Sequence, residues 1–80
     1  MTSAATGPDP VTPISDESIR LGQFLKLAGL AESGAHAREL LDDGAVTVNG
    51  EGEFRRGRHL HRGDVIELDL PTGPVRAVVG

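Results

Sequence analysis

The apolar residues of this chain change their period once, near Gly44, and that switch limits the folds open to it more than any other feature. Before it, Leu21, Phe24, Leu25 and Ala28 recur at i, i+3, i+4 and i+7, the stripe of a short helix that Gly29 would end as a left-handed cap. Leu30 can then pack back. Ser33 is placed to cap a second helix with the stripe Ala37, Leu40 and Leu41, closed by Asp42, Asp43 and Gly44. Carboxylates at that end oppose the helix dipole, a mild cost for which the sequence offers no compensation. The short link Ala31 to Ser33 forces the helices close together. After Gly44 the period is that of strands. Ala45-Val46-Thr47-Val48 is a β-branched run, Asn49-Gly50 signals a type I′ hairpin turn, and a return strand is expected around Gly52 to Arg55. Gly63-Asp64 marks a further turn, Ile66, Leu68 and Leu70 alternate with Val65, Glu67 and Asp69, and Pro71-Thr72-Gly73-Pro74 turns the chain towards an edge strand at Val75 to Val79. The expected order is helix, helix, then strands, an α+β fold.

Eighty residues with two Phe, no Trp and no Tyr build one modest core and leave no room for a second, catalytic domain. With no Cys there is no disulfide, thiolate ligand or thiol nucleophile, which fits a reducing compartment, and cytoplasm is the expected location. Residues 1–17, rich in Ser, Thr, Ala, Pro, Gly and Asp, carry too little apolar surface to offset the entropy of ordering. They are expected to form a disordered tail, with residues 18–80 as a single domain. That start carries neither a basic segment nor an apolar run, so export and membrane insertion are not expected.

The formal net charge is −4, yet Arg55-Arg56-Gly57-Arg58-His59-Leu60-His61-Arg62 holds four arginines and two histidines without a carboxylate. Guanidinium groups match phosphate with a bidentate fork, so this stretch reads as an anion site, against the bland alternative of a solvated basic face balancing the acids elsewhere. Ser33, Gly34, His36 and Arg38 lie at the start of the second helix, where free N–H groups attract phosphate. Taken alone they read better as a routine cap followed by exposed polar residues. Lys26 lies off the apolar stripe and should face solvent, while Asn49 is first a turn residue and second a candidate contact at the hairpin tip. His59 and His61 alternate as metal ligands can, but lack a third ligand nearby, so neither a metal nor another cofactor is expected. Ser33, His36 and Asp42 lack the context of a hydrolase triad, and Gly50-Glu51-Gly52 lacks that of a nucleotide-binding loop.

Leu21-Gly22-Gln23-Phe24-Leu25-Lys26-Leu27-Ala28-Gly29-Leu30, Ser33-Gly34-Ala35-His36-Ala37-Arg38, Gly44-Ala45-Val46-Thr47-Val48-Asn49-Gly50 and Gly63-Asp64-Val65-Ile66 together resemble the S-four RNA-binding domain, whose core is also called the alpha-L motif. The resemblance spans about Ile19 to Leu68. Glu53-Phe54-Arg55-Arg56-Gly57-Arg58 is most similar to the short bacterial stand-alone members, thought to be RNA-binding or ribosome-associated. It implies two packed short helices followed by a small bent antiparallel sheet, with RNA lying across the helix pair and the neighbouring hairpin. The RNA-facing positions it implies are Lys26, Ser33, His36, Arg38, Arg55, Arg56 and Arg58. In two places the chain departs from the pattern: Gly34 stands where many larger members are basic and His59 where lysine is common, so lower or pH-sensitive affinity is expected. The catalytic domains that larger relatives attach are not expected here, and only binding is implied.

The partner expected on this reading is a structured RNA, ribosomal or transfer, or the ribosome itself, bound by a monomer that is neither an enzyme nor a membrane protein. With so few aromatic residues, base stacking is not expected to be the main mode. The rival reading is a protein-interaction module in which the arginines only solubilise. A sulfur carrier would need Gly-Gly where Val79-Gly80 stands, and a helix-turn-helix would place Glu39, Asp42 and Asp43 against the DNA groove.

Overall fold

The computed structural model describes residues 9–80. Its elements are β1 (Val11–Thr12), β2 (Ser18–Arg20), α1 (Leu21–Leu27), α2 (Gly34–Asp42), β3 (Val46–Val48), β4 (Glu51–Gly52), β5 (His59–His61), β6 (Val65–Leu70) and β7 (Gly73–Val79). Both helices form where the periodicity puts them. Leu21, Phe24 and Leu25 are fully buried on α1, and Ala37, Leu40 and Leu41 are buried on α2. Each helix ends in a Schellman motif. The N–H of Leu30 donates to Leu25 O and that of Gly29 to Lys26 O; at the second helix Ala45 donates to Leu40 O and Gly44 to Leu41 O. The glycine in each carries a positive φ, 75° at Gly29 and 74° at Gly44, which an L side chain resists.

The main sheet has the order β1-β7-β6-β3-β4. Asn49 and Gly50 take positive φ in the tight turn between β3 and β4, as the hairpin signal requires. Register aligns Val46 with Leu68, Val48 with Ile66, and Ile66 with Ala77, so one face of the sheet is apolar and packs with Phe24, Leu25 and Leu41 into a single core. The alternate positions, Thr47, Glu67 and Arg76, pair across strands on the other face.

The expected order of two helices followed by an antiparallel sheet needs correction, because two strands precede the helices. β2 pairs antiparallel with β5 as a separate two-stranded sheet, with Ile19 opposite the fully buried Leu60. β1 runs parallel to β7, so β7 is not an edge. The tail expected through residue 17 is likewise corrected over residues 9–17; residues 1–8 lie outside the described residues. Ile14 is buried in the core, its N–H donates to Gly80 O at 3.1 Å, and its own carbonyl accepts from Arg62 Nη2 at 2.9 Å. Backbone pairing with β7 and one well-placed isoleucine hold a segment whose composition alone argues against order.

Ile14→Ala should therefore lower the unfolding free energy by about 2–3 kcal/mol, as for other buried large-to-small changes. Urea denaturation checks this; an unchanged midpoint would mean that this segment lies off the core.

Candidate nucleic-acid interface

The loop between β4 and β5 carries the arginines, and a carboxylate organises it. The Glu53 side chain is only 8% exposed. Its Oε2 accepts from the N–H of Phe54 at 3.1 Å, the N–H of Arg55 at 3.0 Å and Arg55 Nε at 3.1 Å; its Oε1 accepts from Arg58 Nη1 at 2.9 Å. The side-chain hydrogen bond from Arg55 is the chief reason that the Glu53 carboxyl is held down to about 2 from its ordinary 4.5, with the Arg55 backbone N–H adding to it and burial opposing it. The same bond raises the Arg55 guanidinium above its ordinary value.

The loop so fixed is stitched to the start of α1. Leu21 N–H donates to Arg58 O at 2.8 Å and Gly22 N–H to Arg56 O at 2.9 Å, satisfying two of the first amides of the helix. Gly22 also lets the Arg56 side chain cross the helix: a Cβ at position 22 would collide with Arg56 Cγ and lie 3.0 Å from its Cδ. Glycine here serves a close approach.

These contacts sort the cations. Of the eight lysines and arginines, Arg55 and Arg58 are paired with Glu53, Arg62 with the Ile14 carbonyl, and Arg76 with Asp9 at 3.4 Å. Arg20, Lys26, Arg38 and Arg56 have no ion pair or side-chain hydrogen bond among the described residues. These four line two adjoining recesses that share Arg56. A cleft of about 380 Å³ is lined by Arg20, Gly22, Gln23, Lys26, Gly34, Arg56 and Gly57, without a carboxylate. A shallower notch of about 250 Å³ is lined by Arg38, Leu41, Asp42, Phe54 and Arg56.

The start of α2 opens on the same cleft through Gly34. Ser33 Oγ accepts from the His36 N–H at 3.1 Å and Ser33 O from the Ala37 N–H at 3.0 Å, which leaves the amides of Gly34 and Ala35 as the free donors of this terminus among the described residues. His36 Nδ1 accepts from the Glu32 N–H at 3.0 Å, so the neutral ring carries its proton on Nε2.

Of the residues singled out from sequence, Lys26 and Arg56 line the cleft and Arg38 the notch beside it, while Ser33 and His36 flank Gly34. His59 sits opposite Arg20 in the β2–β5 pair, its Nδ1 3.4 Å from Ser18 Oγ. Arg55 and Arg58 belong to the same loop but direct donors to Glu53. Asn49 does not join the group: its Nδ2 donates to Asp64 Oδ1 at 3.1 Å, its Oδ1 accepts from the Val65 N–H at 2.9 Å, and it lines a separate recess with Thr47, Glu67 and Arg76. Its polar atoms hold the Gly63-Asp64 turn. Burial pushes the Asp64 carboxyl up, but hydrogen bonds from the His61 N–H and Asn49 outweigh it and leave the group below its ordinary value. Sequence reasoning passed over Arg20 and Glu53, the latter lying two residues before the arginine run. Phe54, 64% exposed, stands at the edge of the arginine surface.

Acid should loosen this loop. The unfolded Glu53 carboxyl takes up a proton near 4.5 and the folded one only near 2, so the unfolded chain binds more protons between those values and stability falls as pH drops through them. Chemical denaturation across that range should show the loss, and Glu53→Gln should begin less stable at neutral pH and lose less on acidification. A wild-type-like pH profile in the variant would contradict this.

The S4 domain family matches residues 12–76 of the chain. The chain is also 50% identical over 56 residues to the "Probable ribosome maturation protein RlbA" of Bacillus subtilis (strain 168), an alignment covering 70% of this chain and 79% of that protein. The matched span contains both helices, the β3–β4 hairpin, the Glu53-centred loop and both recesses; the chain belongs to the S4 domain family.

Proposed function

We propose that this protein binds a structured RNA, ribosomal or transfer, by clamping phosphates in the Arg20-Lys26-Arg56 cleft, and that it acts as a cytoplasmic monomer in ribosome maturation or on the ribosome. Binding, rather than catalysis, is its activity. One observation carries the reading: the four cations without a protein partner among the described residues all meet around Arg56. The other four, Arg55, Arg58, Arg62 and Arg76, are matched by protein groups, so the net charge of −4 hides a local excess of positive charge at one place. The name of the Bacillus subtilis relative, a ribosome maturation protein, favours ribosomal RNA as the partner.

In this mechanism Arg56 spans both recesses, Arg20 and Lys26 meet neighbouring phosphates, and the free amides at the start of α2 take another. Ser33 holds that terminus open, His36 offers its Nε2 proton beside it, and Arg38 extends the basic track. Arg55 and Arg58, carrying one net positive charge together with Glu53, set the position of Arg56 and add to the field, as does His59 at the rim. Shape and 2′-hydroxyls then supply preference for a folded RNA.

A salt series of equilibrium binding to ribosomal and transfer RNA tests this directly. Arg20→Ala/Lys26→Ala/Arg56→Ala should lose roughly two to three units of the log–log slope, since each phosphate contact contributes about 0.7–0.9. Arg76→Ala, on the far face of the sheet, should keep the wild-type slope. A triple variant that binds with wild-type affinity and slope would overturn the proposal.

A further inference from the structure

Beside the basic cleft lies an aromatic ring that neither the core nor the phosphate clamp uses. Phe54 is 64% exposed, the most exposed of the large apolar side chains among the described residues. Its backbone is nonetheless fixed, because Glu53 accepts both its N–H and that of Arg55. One edge of the ring rests over Gly44, where a Cβ would stand 3.6 Å from Cε1 and 3.9 Å from Cζ. The rest of the ring borders the notch lined by Arg38, Leu41, Asp42 and Arg56. A phenyl ring left in water between two arginines that have no protein partner among the described residues is the pairing that takes an unpaired nucleotide, with the base stacked on the ring and the flanking phosphates on the guanidinium groups.

Asp42 adds a chemical preference. It is exposed near the C-terminal end of α2, where its charge opposes the helix dipole, and it makes no ion pair with Arg38 or Arg56 among the described residues. A carboxylate in this notch repels phosphate but accepts hydrogen bonds from a base edge. Guanine alone offers two adjacent N–H donors on its Watson–Crick edge, matching the two carboxylate oxygens.

We propose that Phe54, with Arg38, Arg56 and Asp42, forms a stacking subsite for one unpaired base of the bound RNA, with guanine preferred. The subsite rests on the RNA-binding reading and adds a selectivity that the phosphate clamp cannot supply. Charge decides the occupant: a recess edged by two free guanidinium groups and one carboxylate suits a nucleotide better than an apolar peptide.

Three RNA duplexes make the test: one fully paired, one with a single bulged guanine and one with a single bulged adenine. The chain contains no Trp, so Phe54→Trp places one fluorophore in the notch. Wild type and Phe54→Trp should bind the bulged-guanine duplex roughly tenfold more tightly than the paired duplex, as one stacked base contributes. The Trp fluorescence should be quenched by the bulged duplexes and left unchanged by the paired one. Phe54→Ala should bind all three duplexes alike while keeping the wild-type salt slope, and Asp42→Asn should bind bulged guanine and bulged adenine equally. Phe54→Ala that retains the preference, or Trp fluorescence that responds equally to the paired duplex, would overturn the subsite while leaving the phosphate clamp in place. Failure of the wild type to bind any duplex or ribosomal RNA would overturn both.

Discussion

The buried carboxylate of Glu53 is the contact on which the interface depends. An unpaired carboxylate in that position would lose hydration without compensation. Four donors close around it instead: two backbone amides and two guanidinium groups. The amides fix the chain direction at Phe54 and Arg55, and Arg58 closes the loop from its far side. Arg56 is left between them with its carbonyl on Gly22 and its guanidinium unpartnered among the described residues. One acidic residue thus decides which arginines hold the loop and which is offered outwards.

The fold then sets what Arg56 faces. Short strand β2 delivers Arg20 directly into α1, α1 carries Lys26, and the short link to α2 brings Gly34 and its amides to the same side. Small residues line this meeting point: Gly22 admits the arginine stem, and Gly34 and Gly57 keep side chains out of the cleft. A chain with a net charge of −4 can in this way present a concentrated positive surface, because no carboxylate among the described residues lines the cleft. Such focusing raises the rate of encounter with a polyanion as well as its affinity.

Much of this architecture is legible in the sequence because it is local. Helix periodicity, the Ser33 cap, the glycines after both helices and the Asn49-Gly50 turn each depend on neighbours in the chain, and all are found where their patterns lie. The N-terminal strands are not legible in that way. Val11 pairs with Val78 and Ser18 with His61, and strands of two or three residues leave no period to read. The same limit applies to the site. A run of arginines announces an anion site, but only the structure reveals that Arg62 reaches the Ile14 carbonyl and that Arg55 and Arg58 converge on Glu53. The proximity of Glu53 to Arg55 was the available signal, and it is indistinguishable in sequence from an ordinary solvated pair. Asn49 illustrates the converse, a residue chosen for a possible contact whose polar atoms are already engaged by Asp64 and Val65.

The most direct test of RNA binding around Arg56 is an amide chemical-shift map recorded while ribosomal RNA fragments are titrated into isotopically labelled protein. The largest perturbations should fall on Arg20 to Lys26, Ser33 to Arg38 and Phe54 to Arg58, with Thr47, Glu67 and Arg76 on the open face of the sheet unmoved. Perturbations centred on that open face, with the residues around Arg56 unchanged, would contradict it.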